Sequence, residues 1–224
     1  MLNYAIAPEL LAPFVPAGTE LDFWQGKALV SVVGFRFLRT RVWNISVPFH
    51  RNFEEVNLRF YVRRATPAGW RRGVVFIKEI VPRAAIAWAA RTFYNENYLA
   101  LPMSHQVETG PDGSQVVSYA WQFSGRENFL RLETRGPPQP LMPDTEPEFI
   151  AEHYWGYARQ RDGTTLEYQV EHPPWRAQTA VNATLDCDAA GLYGPAFAEA
   201  LRAPDSAFLA DGSPVTVRKG VRLT

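Results

Sequence analysis

NFEEVNLRFYVRRATPAGWRRGVVFIKEIVPRAAIAWAARTFYNENY, residues 52–98, holds the clearest strand pair, the clearest helix and the densest polar clustering of the chain. Successive side chains of an extended chain point to opposite faces. In residues 54–62, Val56, Leu58, Phe60 and Val62 therefore share one face, and Glu55, Asn57, Arg59 and Tyr61 share the other. Gly69 and the basic cluster around Trp70 predict a turn. Residues 73–81, rich in β-branched and aromatic types and stopped by Pro82, predict a second strand antiparallel to the first. Proline is tolerated at the start of a helix, and the alanine-rich residues 83–93 combine helix propensity with side chains small enough for close packing on a sheet. Asn95 and Asn97 end that helix.

Upstream, residues 8–14 predict a short helix and residues 27–39 a long strand, with Gly34 the expected site of a bulge or bend. Residues 40–51, which contain Pro48, read as a loop delivering the chain to the central strand. Downstream, residues 99–107, 114–123 and 129–133 read as extended pieces of an antiparallel meander, with turns at residues 110–113 and at Gly125. The proline-rich residues 136–145 read as an ordered crossover, not a domain linker. Asp144 or Thr145 is placed to cap a helix, in which Phe149, Ile150, His153, Tyr154 and Tyr157 recur at helical spacing until Gly163. Residues 164–171, 177–185 and 214–223 complete the strands, and residues 195–201 form a short turn of helix.

The 224 residues suit one domain, residues 1–224, because all-β folds reach this length without splitting. Hydrophobic residues make up 46% and charged residues 21%, enough apolar material for a sizeable core. The 23 basic and 23 acidic residues balance, which removes the general attraction to nucleic acid or anionic lipid. Cys187 is the one cysteine, so neither an intrachain disulfide nor a cysteine-cluster metal site can form, and a reducing compartment fits. No stretch reaches the roughly 18 apolar residues of a membrane helix, and the first ten residues lack the basic flank of a secretory signal. The expectation is a cytoplasmic protein with a small-molecule ligand and no nucleic-acid or membrane partner; nothing in the sequence excludes a homo-oligomer.

Three segments together carry a family resemblance: FHRNFEEVNLRFYV, the strand, proline and alanine-rich helix that follow it, and the late EYQVEHPPWRA. In order and spacing the chain resembles the uncharacterised YqjF-like family, also called DUF2071, over nearly its whole length. That family is similar in fold to acetoacetate decarboxylase. The resemblance implies an α+β, mainly antiparallel β fold: an acetoacetate-decarboxylase-like β-barrel or cone, a few helices packed outside and a small-molecule cavity within. In the decarboxylase a lysine just after the helix matching residues 83–93 forms a Schiff base. Here that place reads Phe93, Tyr94, Asn95, Glu96, Asn97, Tyr98, with no amine, so the resemblance carries the fold and the cavity and not that chemistry.

The candidate ligand-binding residues are Glu55, Asn57, Arg59 and Tyr61, with Tyr94 and Asn95 after the helix. A row holding a carboxylate, an amide, a guanidinium and a phenol is costly inside a barrel unless it binds something or pairs internally, and costs nothing facing solvent. The resemblance favours the cavity, where Arg59 would hold an anion such as a carboxylate. The weaker candidates for acid–base or amine chemistry are Glu55, Lys78 and His172. Lys78 shares strand parity with Val74, Phe76 and Ile80, where burial would lower its pKa, although lysines usually reach the surface. His172 precedes Pro173, Pro174 and Trp175, a stiff segment better suited to a structural role. His50, His105 and His153 show no metal-ligand spacing, so neither metal nor cofactor is expected. Two further function classes stay open: a lyase or hydrolase using Glu55, Tyr61 or His172, and a structural or interaction protein with a closed barrel.

Overall fold

The computed structural model describes residues 1–39, 52–93 and 95–223. The expected loop 40–51, with His50, and the candidate Tyr94 lie outside the described residues. The first part of the chain comprises β1 (Leu2–Ile6), α1 (Pro8–Leu11) with a 3-10 turn (Ala12–Phe14), β2 (Glu20–Leu21), β3 (Ala28–Phe37), β4 (Phe53–Thr66), β5 (Gly69–Val81), α2 (Ala84–Phe93) and β6 (Tyr98–Ala100). Next come β7 (Met103–Thr109), β8 (Gln115–Phe123), β9 (Arg126–Thr134), β10 (Gln139–Pro140) and α3 (Glu146–Ala151). The last part comprises β11 (Trp155–Arg159), β12 (Thr165–Glu171), β13 (Arg176–Asp186), α4 (Ala189–Tyr193), α5 (Pro195–Ala200), β14 (Ser206–Ala210), β15 (Thr216–Val217) and β16 (Val221–Leu223).

The period-2 pattern of residues 54–62 forms the central strand as expected, and β5 pairs with it antiparallel. Strand order among the described residues is β15-β12-β11-β5-β4-β3-β1-β14-β13-β9-β8-β7. The two ends of this order do not pair with each other, so the expected barrel is an open, mainly antiparallel sheet whose halves meet across a shared core. Val56, Leu58, Phe60 and Val62 pack in that core with Tyr119, Trp121, Leu130 and Leu132 of β8 and β9 and with Leu192 and Phe197 of α4 and α5. Hydrophobic burial drives this joining of the halves, each fully buried large side chain contributing about 1.5–3 kcal/mol.

Two local expectations are corrected by long-range packing, and two features are added that the sequence reading lacks. Gly34 makes no bulge: β3 and β4 pair in continuous register through Gly34 opposite Val56. A glycine is needed there because an added Cβ would lie 2.7 Å from the Tyr119 ring. The bulge lies in β5, where Leu58 faces Lys78 but Arg59 faces Phe76, leaving Ile77 as the extra residue. The helix expected to run past Tyr157 stops at Ala151, because Trp155 and Gly156 pair parallel with Gly73 and Val74 of β5. Finally, β1 and β14 join the two halves, and neither five-residue strand stands out from its surroundings in the sequence.

In α2, Ala87 is fully buried against Phe53 and Val81, as the alanine-rich pattern predicts, whereas Ala84, Ala85 and Trp88 face outward. No described helix is long and apolar enough to cross a membrane.

Candidate functional site

The polar row of β4 lies on the face opposite the main core. Glu55, Asn57 and Tyr61 are each at most 2% exposed and Arg59 is partly buried, so this row is not a solvent face. The row divides. Glu55 and Asn57 point into an acidic cluster, Tyr61 lies beneath α3, and Arg59 stands between them.

The cluster is assembled around the bulge. At Ile77 the carbonyl leaves the β4–β5 ladder and accepts a hydrogen bond from Asn97 Nδ2 at 2.9 Å, and the Glu79 amide donates to the Asn97 carbonyl at 3.1 Å. These bonds fix residues 95–98 along β5, with Tyr98 beside Glu79 in a parallel pair. On the other side, Asn57 lies directly opposite Glu79. Glu55, Glu79 and Glu96, from three separate segments, are thus buried near one another.

Hydrogen bonding satisfies this cluster only in part. Asn57 Nδ2 donates to Glu55 Oε1 at 3.0 Å, and the Tyr98 hydroxyl donates to Glu55 Oε2 at 3.1 Å. The Tyr168 hydroxyl donates to Glu96 Oε1 at 3.2 Å. Tyr168 reaches that position by lying over Gly156, where an added Cβ would be 2.1 Å from its ring. Glu79 Oε2, Asn57 Oδ1 and Arg59 Nε are buried and find no hydrogen-bond partner among the described residues. An unpaired buried polar atom carries a desolvation cost of about 1–3 kcal/mol, so three in one place need an explanation.

Burial pushes the Glu55 carboxyl up to about 7, outweighing the hydrogen bonds from Asn57 and Tyr98 and the attraction of Arg59. Glu96 is pushed up to about 8 by burial, against its bond from Tyr168. Glu79 lies well above the usual carboxylate range through burial and then repulsion from Glu96 and Glu55. Near neutral pH the cluster therefore holds protons, which suits it to general acid–base work and to ligands that replace those protons.

The remaining candidates lie elsewhere. Arg59 donates to the Ile150 carbonyl at 3.3 Å. Tyr61 has its hydroxyl 2.5 Å from Ser31 Oγ and packs against Phe149 and His153. Asn95 adopts a positive φ of 55°, its Nδ2 donates to the Arg159 carbonyl at 2.8 Å, and its Oδ1 accepts from Arg161, so its amide is held away from the cluster. Lys78 faces Leu58 on the core side of the sheet; the bulge separates it from Phe76, which strand alternation placed beside it. Burial lowers the Lys78 pKa, but its amine is on the wrong face to meet Glu79. His172 stacks on Trp175 with ring centroids 4.1 Å apart, beside a surface cavity of about 290 Å³ lined by Trp175, Pro174 and Glu152, and does not enter the cluster. Glu79, Glu96, Tyr98 and Tyr168 are missing from the sequence candidates. The signals for the first two are a carboxylate in an otherwise apolar strand and one set between Asn95 and Asn97.

Among the described residues no three His, Cys, Asp or Glu side chains are arranged to hold one metal ion.

This architecture is that of acetoacetate-decarboxylase-like proteins. The structure of acetoacetate decarboxylase from Legionella pneumophila superposes with a TM-score of 0.64 over 100% of this chain and 83% of its own, at 12% identity. The enduracididine biosynthesis enzyme MppR, complexed with the condensation product of pyruvate and imidazole 4-carboxaldehyde, gives 0.64 over 99% of this chain and 85% of its own, at 13% identity. At such identities the likeness shows the fold alone. The chain belongs to the DUF2071 family of uncharacterised conserved proteins, whose sequence profile matches residues 1–214. The uncharacterised protein YqjF of Bacillus subtilis (strain 168) is 27% identical over 202 residues, 86% of this chain and 78% of the relative.

Proposed function

We propose that this protein binds a small organic molecule over the Glu55, Glu79 and Glu96 cluster, with Asn57, Tyr98 and Tyr168 as hydrogen-bonding walls and Arg59 at the edge, open to a carboxylate on the ligand. The supporting observation is the set of buried, partnerless polar atoms, Glu79 Oε2, Asn57 Oδ1 and Arg59 Nε, gathered on one face of β4 and β5. A ligand that pairs them removes their desolvation cost, which is how buried polar groups contribute to affinity and specificity. Schiff-base chemistry has no amine in this cluster to use.

Protein purified from cells, denatured and analysed by mass spectrometry should release a retained small molecule that Glu79→Gln protein carries in reduced amount. A folded variant that retains the same species in the same amount would place the molecule outside this cluster.

A second reading, an acid–base enzyme of lyase or hydrolase type, is supported by the proton affinities of Glu55 and Glu96, raised to about 7 and about 8, near neutral pH. On that reading Glu55 or Glu96 moves the proton, since Tyr61 and His172 lie apart. Turnover would then fall in Glu55→Gln while substrate affinity held; loss of affinity alone would favour binding without catalysis.

A further inference from the structure

Each neutral carboxyl of the cluster carries one O–H donor, and once the carboxyls are ionised the cluster has far more acceptors than donors. Glu55, Glu79 and Glu96 offer six carboxyl oxygens and Asn57 adds a carbonyl oxygen, whereas the donors identified to them are the two phenols, Tyr98 and Tyr168, and the amide of Asn57. Among the described residues, six titratable or charged groups face this space: Glu55 and Arg59 from β4, Glu79 from β5, Glu96 and Tyr98 from the segment beside β5, and Tyr168 from β12. Arg59 is the cation among them, but its guanidinium donates to the Ile150 carbonyl and the Met1 sulfur, and to no carboxyl among the described residues. Lys78 is on the opposite face. Glu79 Oε2 and Asn57 Oδ1, on side chains 2% and 1% exposed, remain without donors. The carboxyls are too dispersed to close on one metal ion. A branched or planar group with several N–H donors reaches dispersed acceptors at once.

We propose that the buried end of the ligand is an organic cation with several N–H donors, an amidinium, guanidinium or primary ammonium, which enters among Glu55, Glu79 and Glu96. This rests on the binding-site reading above and adds the chemical class that the acid end selects. Ionised carboxylates replace neutral carboxyls as the cation enters, so binding strengthens as pH rises from 6 to 8. An anionic ligand at the same place would show the opposite dependence and take up protons.

The test uses the isosteric trio acetamidine, acetamide and acetate with the full chain, followed by calorimetry in two buffers of different ionisation heat. Acetamidine should bind with proton release, more tightly at pH 8 than at pH 6, and about tenfold more weakly in Glu79→Gln and Glu96→Gln. Glu148→Gln, in the surface cavity beside Trp175, should leave it unchanged. Circular dichroism of each variant confirms folding. Acetate binding that depends on Arg59 or Glu79, without acetamidine binding, would overturn the cation and keep the site. Acetamidine binding indifferent to Glu79→Gln and Glu96→Gln, or no binding by any of the three, would overturn both.

Discussion

Two buried polar clusters share the same face of the central sheet and solve the cost of burial differently. Around Asp22, Arg72 Nε donates to Oδ2 at 2.7 Å and His153 Nε2 lies 3.3 Å from the same oxygen. Burial would raise the Asp22 carboxyl, but the bonds from His153 and Arg72 bring it below its ordinary value. Burial brings His153 down to about 4, so the ring is neutral and Nε2 carries the proton given to the Asp22 carboxylate. The acid of this cluster has its own cation. Glu55, Glu79 and Glu96 have no hydrogen-bonded cation among the described residues, and burial favours their protonated form instead. A paired acid is part of the framework, whereas an acid left protonated in an apolar wall is available to something that arrives from outside.

The largest effect separating the clusters is the pH dependence of stability. Glu55 and Glu96 hold protons more tightly folded than unfolded, so their contribution is full below about pH 4.5 and is lost as pH rises through about 7 and 8. For Glu55→Gln/Glu96→Gln, urea unfolding should show this alkaline loss reduced by on the order of 6 kcal/mol between pH 5 and pH 9, with the share of Glu79 remaining. His153 works in the opposite sense: its contribution is full above pH 6.5 and is lost as pH falls towards 4. That acid limb should persist in the same variant. If both limbs flatten together, the clusters are coupled and the distinction fails.

Asp22→Ala comes next, leaving Arg72 and His153 without their acid. A fully buried pair would lose about 3–5 kcal/mol. Arg72 is 32% exposed in its side chain, so solvent screening reduces the expected loss to about 2 kcal/mol. Glu79→Gln, in the cluster that pairs with no cation, should cost less than Asp22→Ala at pH 7 and stabilise the fold at pH 9. Chemical denaturation of both variants orders them, and the reverse order would mean that the glutamates are the framework.

Gly156→Ala probes the wall. Its Cβ would displace the Tyr168 ring and break the bond to Glu96, at a cost of about 1–2 kcal/mol with weakened ligand retention. An unchanged melting temperature together with unchanged retention would show that Tyr168 is not part of the site.

Lys78 carries the smallest expectation, no reaction at all. Borohydride with acetoacetate should leave the protein mass unchanged, because the amine lies on the core side of β5, opposite Leu58. A covalent adduct mapped to Lys78 would join the two faces of the strand in one mechanism and undo the assignment of Glu79 as the reactive side.

The central strand, its apolar and polar faces, the second strand, the alanine-rich helix and the missing amine after it are all readable from residues 52–98. Alternation and propensity are properties of a short segment, and residue identity needs no fold. Burial of Glu55, Asn57 and Tyr61 is not decided by that row, which suits a solvent face as well as a cavity, and neither is their division between two clusters. That division was decided by the bulge at Ile77, which depends on how β5 pairs with β4, and by the return of residues 95–98 and of β11 alongside β5. Those returns bring Glu96, Tyr98 and Tyr168 to Glu79 from segments as much as 89 positions away, the interval from Glu79 to Tyr168. Such contacts arise when the halves of the sheet bury a common core, and no local pattern encodes which distant phenol will meet a given carboxyl.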